Sequence, residues 1–242
     1  MDYYKLGESY SSIADKIDMH DSYYAFIVRF ICDNTSTSER KHLLEAGCGN
    51  GKLAGLIART FGSEIDSYEA FDISETMVER ARQAVPKGHF STQALPAIQT
   101  ERAEYSLIIA SEVLEHLAEP LASLKALRAR QAENASLIIT VPNADCIGFW
   151  HYLKHRKTFQ PADDFHYTFP ELQYLIRKAA FRIVNYAGFD GIMMPPARNR
   201  LEAFLLDLGR RLLVRYHPDI NRRQKRLLLH LKKDDYLLSH DF

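Results

Sequence analysis

The stretch HLLEAGCGNGKLAGLIAR, from His42 to Arg59, decides the fold of this 242-residue chain. It opens with a short apolar run typical of the end of a buried strand, and Gly47, Gly49 and Gly51 follow. From Lys52 onward, apolar residues recur at helical spacing. The stretch therefore predicts a strand, a glycine-rich turn and a helix, which together form the ligand-binding corner of a doubly wound α/β sheet.

The spacing of the glycines separates them from a dinucleotide-binding fingerprint. That fingerprint runs G-x-G-x-x-G, whereas Gly51 follows Gly49 by two residues and Glu45 stands two residues before Gly47. The pattern resembles motif I of the class I S-adenosylmethionine-dependent methyltransferases. The resemblance implies their Rossmann-like fold and their cofactor. The alternative is a tight strand-to-helix turn with no ligand.

Length and composition indicate one large domain, or one domain with an appendage. Apolar residues make up 46% of the chain, and 31 basic residues balance 31 acidic ones, so the overall charge does not favour a nucleic-acid partner. Cys32, Cys48 and Cys146 lie far apart, which predicts reduced thiols in a cytoplasmic protein. The first residues lack the apolar core of a signal peptide, and no apolar run reaches the length of a membrane span.

Strands and helices are predicted to alternate along the chain. Strands after the first are expected at 66–71, 89–96, 105–111, 136–141, 181–189 and 235–239. Helices are expected at 21–31, from 52 onward, and at 75–84, 121–130 and 170–180. This rhythm predicts a parallel sheet with right-handed crossovers. The resemblance implies a mostly parallel, seven-stranded α/β sheet, doubly wound, whose last strand is antiparallel.

The whole chain, 1–242, is expected to form a single methyltransferase domain. Residues 1–40 would form an N-terminal lid or helix, 41–191 the cofactor-binding core, 192–233 a helical insertion and 234–242 the last strand. Within the insertion, a second helix is expected over 221–231. Residues 197–233 hold eleven Lys and Arg against three acids, a local charge of +8. The insertion could cap the sheet, contact an anionic membrane surface, form a dimer face or hold an anionic substrate.

One cofactor contact follows from spacing. Asp72 lies 21 residues beyond Gly51 at the end of the predicted second strand, where an acid accepts hydrogen bonds from ribose hydroxyls. Glu69 in the same strand is the rival acid, and helix capping is the alternative role. The resemblance assigns the methionyl part to residues 45–51 and the adenine to the exit of the third strand. The full set that it implies is Glu45, Gly47, Cys48, Gly49, Asn50, Gly51, Asp72, Ile73, Met77, Thr92, Gln93, Ser111 and Glu112.

The methyl acceptor is expected at the loop 144–169, which leaves the fifth strand and is rich in aromatic and histidine side chains. The resemblance favours a small-molecule or lipid-linked acceptor that is methylated on a hydroxyl oxygen. A hydroxyl acceptor needs a group that removes its proton. His116, just past the fourth strand, and His166, in the aromatic loop, are the candidate bases.

Glu112, Glu115 and His116 form an E-x-x-E-H set. Some O-methyltransferases that the chain resembles bind a divalent ion through this pattern, and in other relatives the same residues only stabilise the turn. We expect S-adenosylmethionine without a metal, and keep ligation by these three residues as the alternative. Two other functions remain open: an RNA ribose 2′-O-methyltransferase and a non-catalytic cofactor-binding partner protein. The sequence predicts no oligomeric state.

Overall fold

The computed structural model describes residues 21–35, 40–146, 165–189, 204 and 226–238. The strands are β1 (Lys41–Ala46), β2 (Ile65–Asp72), β3 (His89–Thr92), β4 (Tyr105–Ser111), β5 (Gln131–Pro142), β6 (Phe181–Phe189) and β7 (Arg226–Lys233). The α-helices are α1 (Asp21–Asn34), α2 (Lys52–Phe61), α3 (Glu75–Ala84), α4 (Pro120–Ala129) and α5 (Phe169–Lys178). Short 3₁₀ turns follow β4 and β7, at Leu114–His116 and Asp235–Leu238.

The seven strands form one sheet in the order β3-β2-β1-β4-β5-β7-β6. β1 to β5 run parallel, and β7 is antiparallel to both β5 and β6. The chain moves outward from β1 to β3 and then returns to place β4 on the other side of β1. The carboxyl ends of β1 and β4 therefore flank the point where the strand order reverses, which is where open α/β sheets bind ligands. The predicted fold class is confirmed.

Helices cover both faces of the sheet. One apolar cluster joins side chains of α4 and α5 to the sheet, and a second joins α1, α2 and α3 to the opposite face. β4 lies between them, with Leu107, Ile108 and Ile109 at most 1% exposed. A strand buried on both faces is a near-continuous apolar run, which is why the sequence identified β4.

The prediction for the last strand was wrong. Residues 235–238 form a 3₁₀ turn, and β7 occupies Arg226–Lys233, part of which had been assigned to a helix over 221–231. Leu227, Leu229 and Leu231 contact one core, while Leu228 contacts the other. A leucine run that is apolar on every side fits a central strand as well as a buried helix, so periodicity did not separate them.

The predicted insertion is correspondingly shorter, since its last eight residues belong to the sheet. Arg226, Lys232 and Lys233, counted among its eleven basic residues, lie at the two ends of β7. The rest of the insertion lies outside the described residues, apart from Phe204, which is helical and exposed. The predicted lid before residue 21 and most of the aromatic loop also lie outside them. Within the described part of the chain, no helix is long and apolar enough to cross a membrane.

Candidate functional site

The glycine-rich turn is held by the end of the neighbouring strand β2. The backbone N–H groups of Gly47 and Cys48 donate to the carbonyl oxygen of Phe71, at 2.8 and 3.0 Å. The N–H of Gly49 donates to Asp72 Oδ2 at 2.8 Å. The turn therefore lies at the carboxyl edge of the sheet with its backbone tied to β2.

Gly49 and Gly51 meet different steric requirements of the loop. Gly51 has φ +80°, and a Cβ there would lie 2.7 Å from the Cα of Ala81, so glycine lets α2 and α3 approach closely. Gly49 has φ +50°, and a Cβ there would meet no protein atom within 4 Å. The space in front of Gly49 is open, and a ligand can approach the main chain there. The loop therefore has the exposed main chain that the predicted cofactor contact requires.

Asp72 ends β2, where the sequence placed it. Its Oδ1 accepts a hydrogen bond from the N–H of Ser74 at 3.0 Å, while Oδ2 accepts the one from Gly49. Burial raises the pKa of this carboxyl, and the backbone donors act in the opposite direction. The rival acid, Glu69, accepts hydrogen bonds from the Tyr105 hydroxyl and the Glu101 N–H instead. Of the two acids, Asp72 is thus the one bound to the glycine loop.

Glu45 lies beneath the loop and is 1% exposed. Its Oε2 accepts a hydrogen bond from the Tyr68 hydroxyl at 2.5 Å. Burial raises the pKa of Glu45 to about 8, so this side chain carries a proton at neutral pH. Cys48, in the loop itself, is also buried, and burial raises the pKa of its thiol. The lower side of the loop is therefore a largely uncharged, close-packed layer.

The predicted adenine residues lie at the end of β3. Thr92 pairs with Asp72 in the parallel ladder, so its backbone reaches the same edge. The Gln93 amide donates to Ser91 Oγ at 2.6 Å and to the carbonyl of Gln99 at 2.8 Å, and it accepts from the Gln99 N–H at 2.6 Å. Gln93 thus shapes the segment that follows β3.

Ile73 and Met77 flank the N-terminus of α3. Ile73 is half-buried directly after Asp72, and Met77 is buried. The N–H of Met77 donates to Ser74 Oγ at 3.4 Å, which confirms Ser74 as the cap of this helix. Asn50 lies just before Gly51, the N-cap of the other helix of the corner, and its Oδ1 accepts from the Lys52 N–H at 3.2 Å.

Glu112 lies at the exit of β4 and has a left-handed backbone, with φ +53°. Its Oε1 is 2.9 Å from both the Tyr23 hydroxyl and the Thr140 hydroxyl, and its Oε2 accepts from Arg226 Nε at 3.1 Å. Ser111 joins the same network, because its hydroxyl is 3.0 Å from that of Thr140. The carboxylate of Glu112 is therefore engaged on both oxygens by protein groups.

His116 follows on the turn after β4. Its Nε2 lies 3.8 Å from Glu115 Oε1, and its side chain is 28% exposed while that of Glu115 is 2% exposed. This turn follows the carboxyl end of β4, and Asp72 lies at the carboxyl end of β2, so both residues are at the same edge of the sheet. The described residues contain no group of three or more His, Cys, Asp or Glu side chains arranged to hold a metal ion. In particular, Glu112 pairs with Arg226 and does not join Glu115 and His116 in a ligand set.

The segment that carries His166 lies beside that turn. The N–H of Phe165 donates to the carbonyl of Glu115 at 2.8 Å, and the Tyr167 hydroxyl donates to the carbonyl of Leu114 at 3.3 Å. Tyr167 also forms a parallel bridge with Asn143 just after β5. The structure thus brings the backbone segments of both predicted bases to the same edge of the sheet.

Sequence reasoning missed Tyr23, Thr140 and Arg226, which all contact Glu112. Tyr23 comes from α1 and Arg226 from β7, at separations of 89 and 114 residues from Glu112. No local spacing connects residues so far apart. The N-terminal segment contains several tyrosines, but nothing in their spacing selects Tyr23 over its neighbour Tyr24.

A family model described as a methyltransferase domain matches residues 20–192. Among curated proteins, the O-methyltransferase resE of Aspergillus sclerotiorum is 27% identical over 173 residues. That match covers 66% of this chain and 62% of the relative, so the chain spans less than two thirds of the relative's length.

Solved structures share the fold over most of the chain. A structure from the complex with the Haloferax volcanii methyltransferase activator Trm112 has a TM-score of 0.69 at 12% identity, with 96% of this chain and 98% of that chain covered. Magnesium protoporphyrin IX methyltransferase of Synechocystis PCC 6803, solved with bound SAH (S-adenosylhomocysteine), has a TM-score of 0.60 at 16% identity, covering 88% and 83%. At these identities the likeness shows the fold alone.

Proposed function

The chain belongs to the S-adenosylmethionine-dependent methyltransferase family, and we propose that it methylates a hydroxyl oxygen of a small or lipid-linked organic acceptor. The family supplies the cofactor and the reaction class. The choice of oxygen is supported by the O-methyltransferase relative. It is carried by one observation of the site, namely that a half-buried histidine lies 3.8 Å from a buried carboxyl group on the turn that follows β4, at the carboxyl edge of the sheet.

The residues proposed to hold the cofactor are those of the edge between β1, β2 and β4. The glycine loop around Gly49 would take the methionyl part, and Asp72 would accept the ribose hydroxyls, with Gly49 and Ser74 fixing its carboxylate. When bound, S-adenosylmethionine supplies a methyl group made electrophilic by a sulfonium. The protein has to align the acceptor with that group and exclude water.

His116 is the proposed general base. Its imidazole accepts the proton of the acceptor hydroxyl, and the Glu115 carboxylate at 3.8 Å stabilises the imidazolium that forms. His166 is the second candidate, since its segment is bonded to the same turn.

The test is methyl transfer to a panel of phenols, catechols and alcohols with and without long alkyl chains, next to matched amines and thiols. Release of S-adenosylhomocysteine is measured for wild type and His116→Gln. We expect turnover of hydroxyl acceptors, and a loss of about 10²–10⁴-fold in His116→Gln, the usual contribution of a positioned acid–base group. Binding of the cofactor should change little.

The matched control is His89→Gln, which removes an exposed histidine paired with Glu101 at the opposite end of the sheet. It should retain wild-type turnover. Methylation of amines or thiols in place of hydroxyls would contradict the proposed acceptor. Full activity of both His116→Gln and His166→Gln would contradict the proposed base.

A further inference from the structure

The carboxylate of Glu112 is hydrogen-bonded by side chains from three elements. These are Tyr23 of α1, Thr140 of β5 and Arg226 of β7, and we call the three residues the Glu112 clamp. The Tyr23 hydroxyl lies 2.9 Å from Glu112 Oε1 and 2.7 Å from Thr140 Oγ1, so its one proton serves either acceptor. The Arg226 guanidinium donates to Glu112 and lies 5.1 Å from the centre of the Tyr23 ring. The three groups therefore support one another as well as Glu112.

The clamp holds a backbone conformation that glutamate disfavours. With φ +53°, the Cβ of Glu112 crowds its own carbonyl oxygen, and a residue other than glycine keeps such a conformation only where its surroundings impose it. Here the N–H of Glu112 also donates to Thr140, with the carbonyl oxygen at 3.1 Å and Oγ1 at 3.0 Å. Backbone and side chain of Glu112 are thus fixed from β5, α1 and β7 together.

The conformation of Glu112 sets the position of the next residue, Val113. A Cβ added to Gly47 would lie 2.4 Å from Val113 Cγ2, so Val113 occupies the space that a side chain at Gly47 would need. Val113 therefore packs directly against the glycine loop. A change in the direction of the chain at Glu112 would move Val113 against or away from that loop.

We propose that Tyr23 and Arg226 are positioning residues for methyl transfer. They keep Glu112 in its left-handed conformation, and Val113 transmits this geometry to the glycine loop that receives the cofactor. They act without touching the cofactor. The inference rests on the proposed placement of S-adenosylmethionine at the glycine loop, and it ties α1 and β7 to that site.

The decisive experiment compares Glu112→Ala with Glu112→Gly by titration calorimetry of the full chain with S-adenosylhomocysteine. Both variants lose the carboxylate, but only glycine adopts φ +53° without crowding. We expect Glu112→Gly to bind about tenfold more tightly than Glu112→Ala. Equal affinities would overturn the inference. They would indicate that the carboxylate contacts the ligand directly, because both variants lose that contact to the same extent.

Tyr23→Phe and Arg226→Gln test the clamp itself. Each removes a hydrogen bond to a carboxylate, and we expect binding up to about tenfold weaker. Arg226→Lys should restore part of the affinity, because it keeps the charge. In the Glu112→Gly background, neither substitution should weaken binding further. Additive losses in that background would overturn the inference, because the residues would then act by another route.

Melting temperatures and a control separate positioning from general stability. Arg40→Gln breaks an ion pair with Asp66 at 2.7 Å on the far edge of the sheet, and it should leave affinity unchanged. A wild-type chain that does not bind S-adenosylhomocysteine would overturn the cofactor placement and this inference with it. If wild type binds S-adenosylhomocysteine and the variants of Glu112, Tyr23 and Arg226 bind it equally well, this inference alone is overturned.

Discussion

The carboxyl edge of the sheet contains two stretches of left-handed backbone, and they are built in opposite ways. In the glycine loop, the residues with φ values of +50° and +80° are Gly49 and Gly51. Glycine adopts such values without a steric clash because it has no Cβ. At the exit of β4, a φ of +53° falls on Glu112, a residue with a long side chain. The first is allowed by the residue type, and the second is imposed by contacts.

The difference shows which part of the site depends on neighbouring residues and which part depends on distant ones. The hydrogen bonds of the glycine loop involve only its own residues and the end of the next strand, where Phe71 and Asp72 receive its N–H groups. The turn at Glu112 needs Tyr23, Thr140 and Arg226, which come from three separate elements. The loop can form wherever β1 and β2 pair, whereas the clamp forms only in the complete fold.

The largest effect is expected from a side chain at Gly51. In Gly51→Ala the new Cβ would lie 2.7 Å from the Cα of Ala81, a backbone atom of α3, in addition to its unfavourable φ. We expect the free energy of unfolding to fall by about 3 kcal/mol, because α2 and α3 must separate. Urea unfolding monitored by circular dichroism measures the change.

Gly49→Ala is the matched comparison, since its Cβ meets no protein atom within 4 Å. It should cost only about 1 kcal/mol of stability, from its φ alone. Its methyl group would nevertheless enter the open space in front of the loop, and we expect S-adenosylhomocysteine to bind at least about tenfold more weakly. If Gly49→Ala binds as wild type does, the cofactor is misplaced.

A pH titration would test the layer beneath the loop. The folded pKa of Glu45 is about 8, above its ordinary value of 4.5, so the folded state binds the proton more tightly than the unfolded state does. The contribution of Glu45 to stability is therefore full below pH 4.5 and is lost as pH rises toward 8. Glu45→Gln, which stays neutral and keeps an acceptor for Tyr68, should remove this slope, which approaches about 1.4 kcal/mol per pH unit between the two pKa values.

The measurement is urea unfolding of wild type and Glu45→Gln at several pH values between 5 and 8. We expect the free energy of unfolding of wild type to fall relative to that of Glu45→Gln as the pH rises. Asp66→Asn, an exposed acid at the other end of β2, serves as the control and should follow wild type. Parallel curves for wild type and Glu45→Gln would show that Glu45 does not titrate as its burial requires.

A smaller effect than that at Gly51 is expected from Thr140→Val in the clamp. Valine has the same shape but removes the hydroxyl that donates to Glu112 Oε1 and lies near Ser111. Because Tyr23 and Arg226 still hold the carboxylate, we expect a loss of about 1–2 kcal/mol in thermal or urea unfolding. A loss no larger than that of an exposed threonine variant, such as Thr60→Val, would show that the clamp does not depend on β5.

Much of the cofactor half was predictable because its signals are local. The glycine spacing, Asp72 at the end of β2 and the Ser74 cap all follow from residues near one another in the chain, and each has the predicted place in the structure. β2, β4 and β6 were placed to within a residue, and β4 was the clearest of them because a strand buried on both faces is a near-continuous apolar run. The roles of these residues toward a cofactor remain predictions that the experiments above would test.

The acceptor half was less predictable because its signals are not local. β7 was misplaced, since its leucines face both cores and no period separates a central strand from a buried helix. With β7 misplaced, Arg226 was counted as one more solvated charge of the insertion. Its pairing with Glu112, and the Tyr23 ring beneath it, depend on which strand lies next to β5.

The sequence by itself therefore determined the doubly wound fold and the glycine loop, because glycine's freedom at positive φ and the hydrogen bonds of the loop involve only neighbouring residues. Tertiary structure alone decided the conformation of Glu112. A strained backbone on a residue with a side chain is stable only when distant groups hold it, and the helix and strands that supply Tyr23, Thr140 and Arg226 meet at that edge only after the sheet has closed around β5.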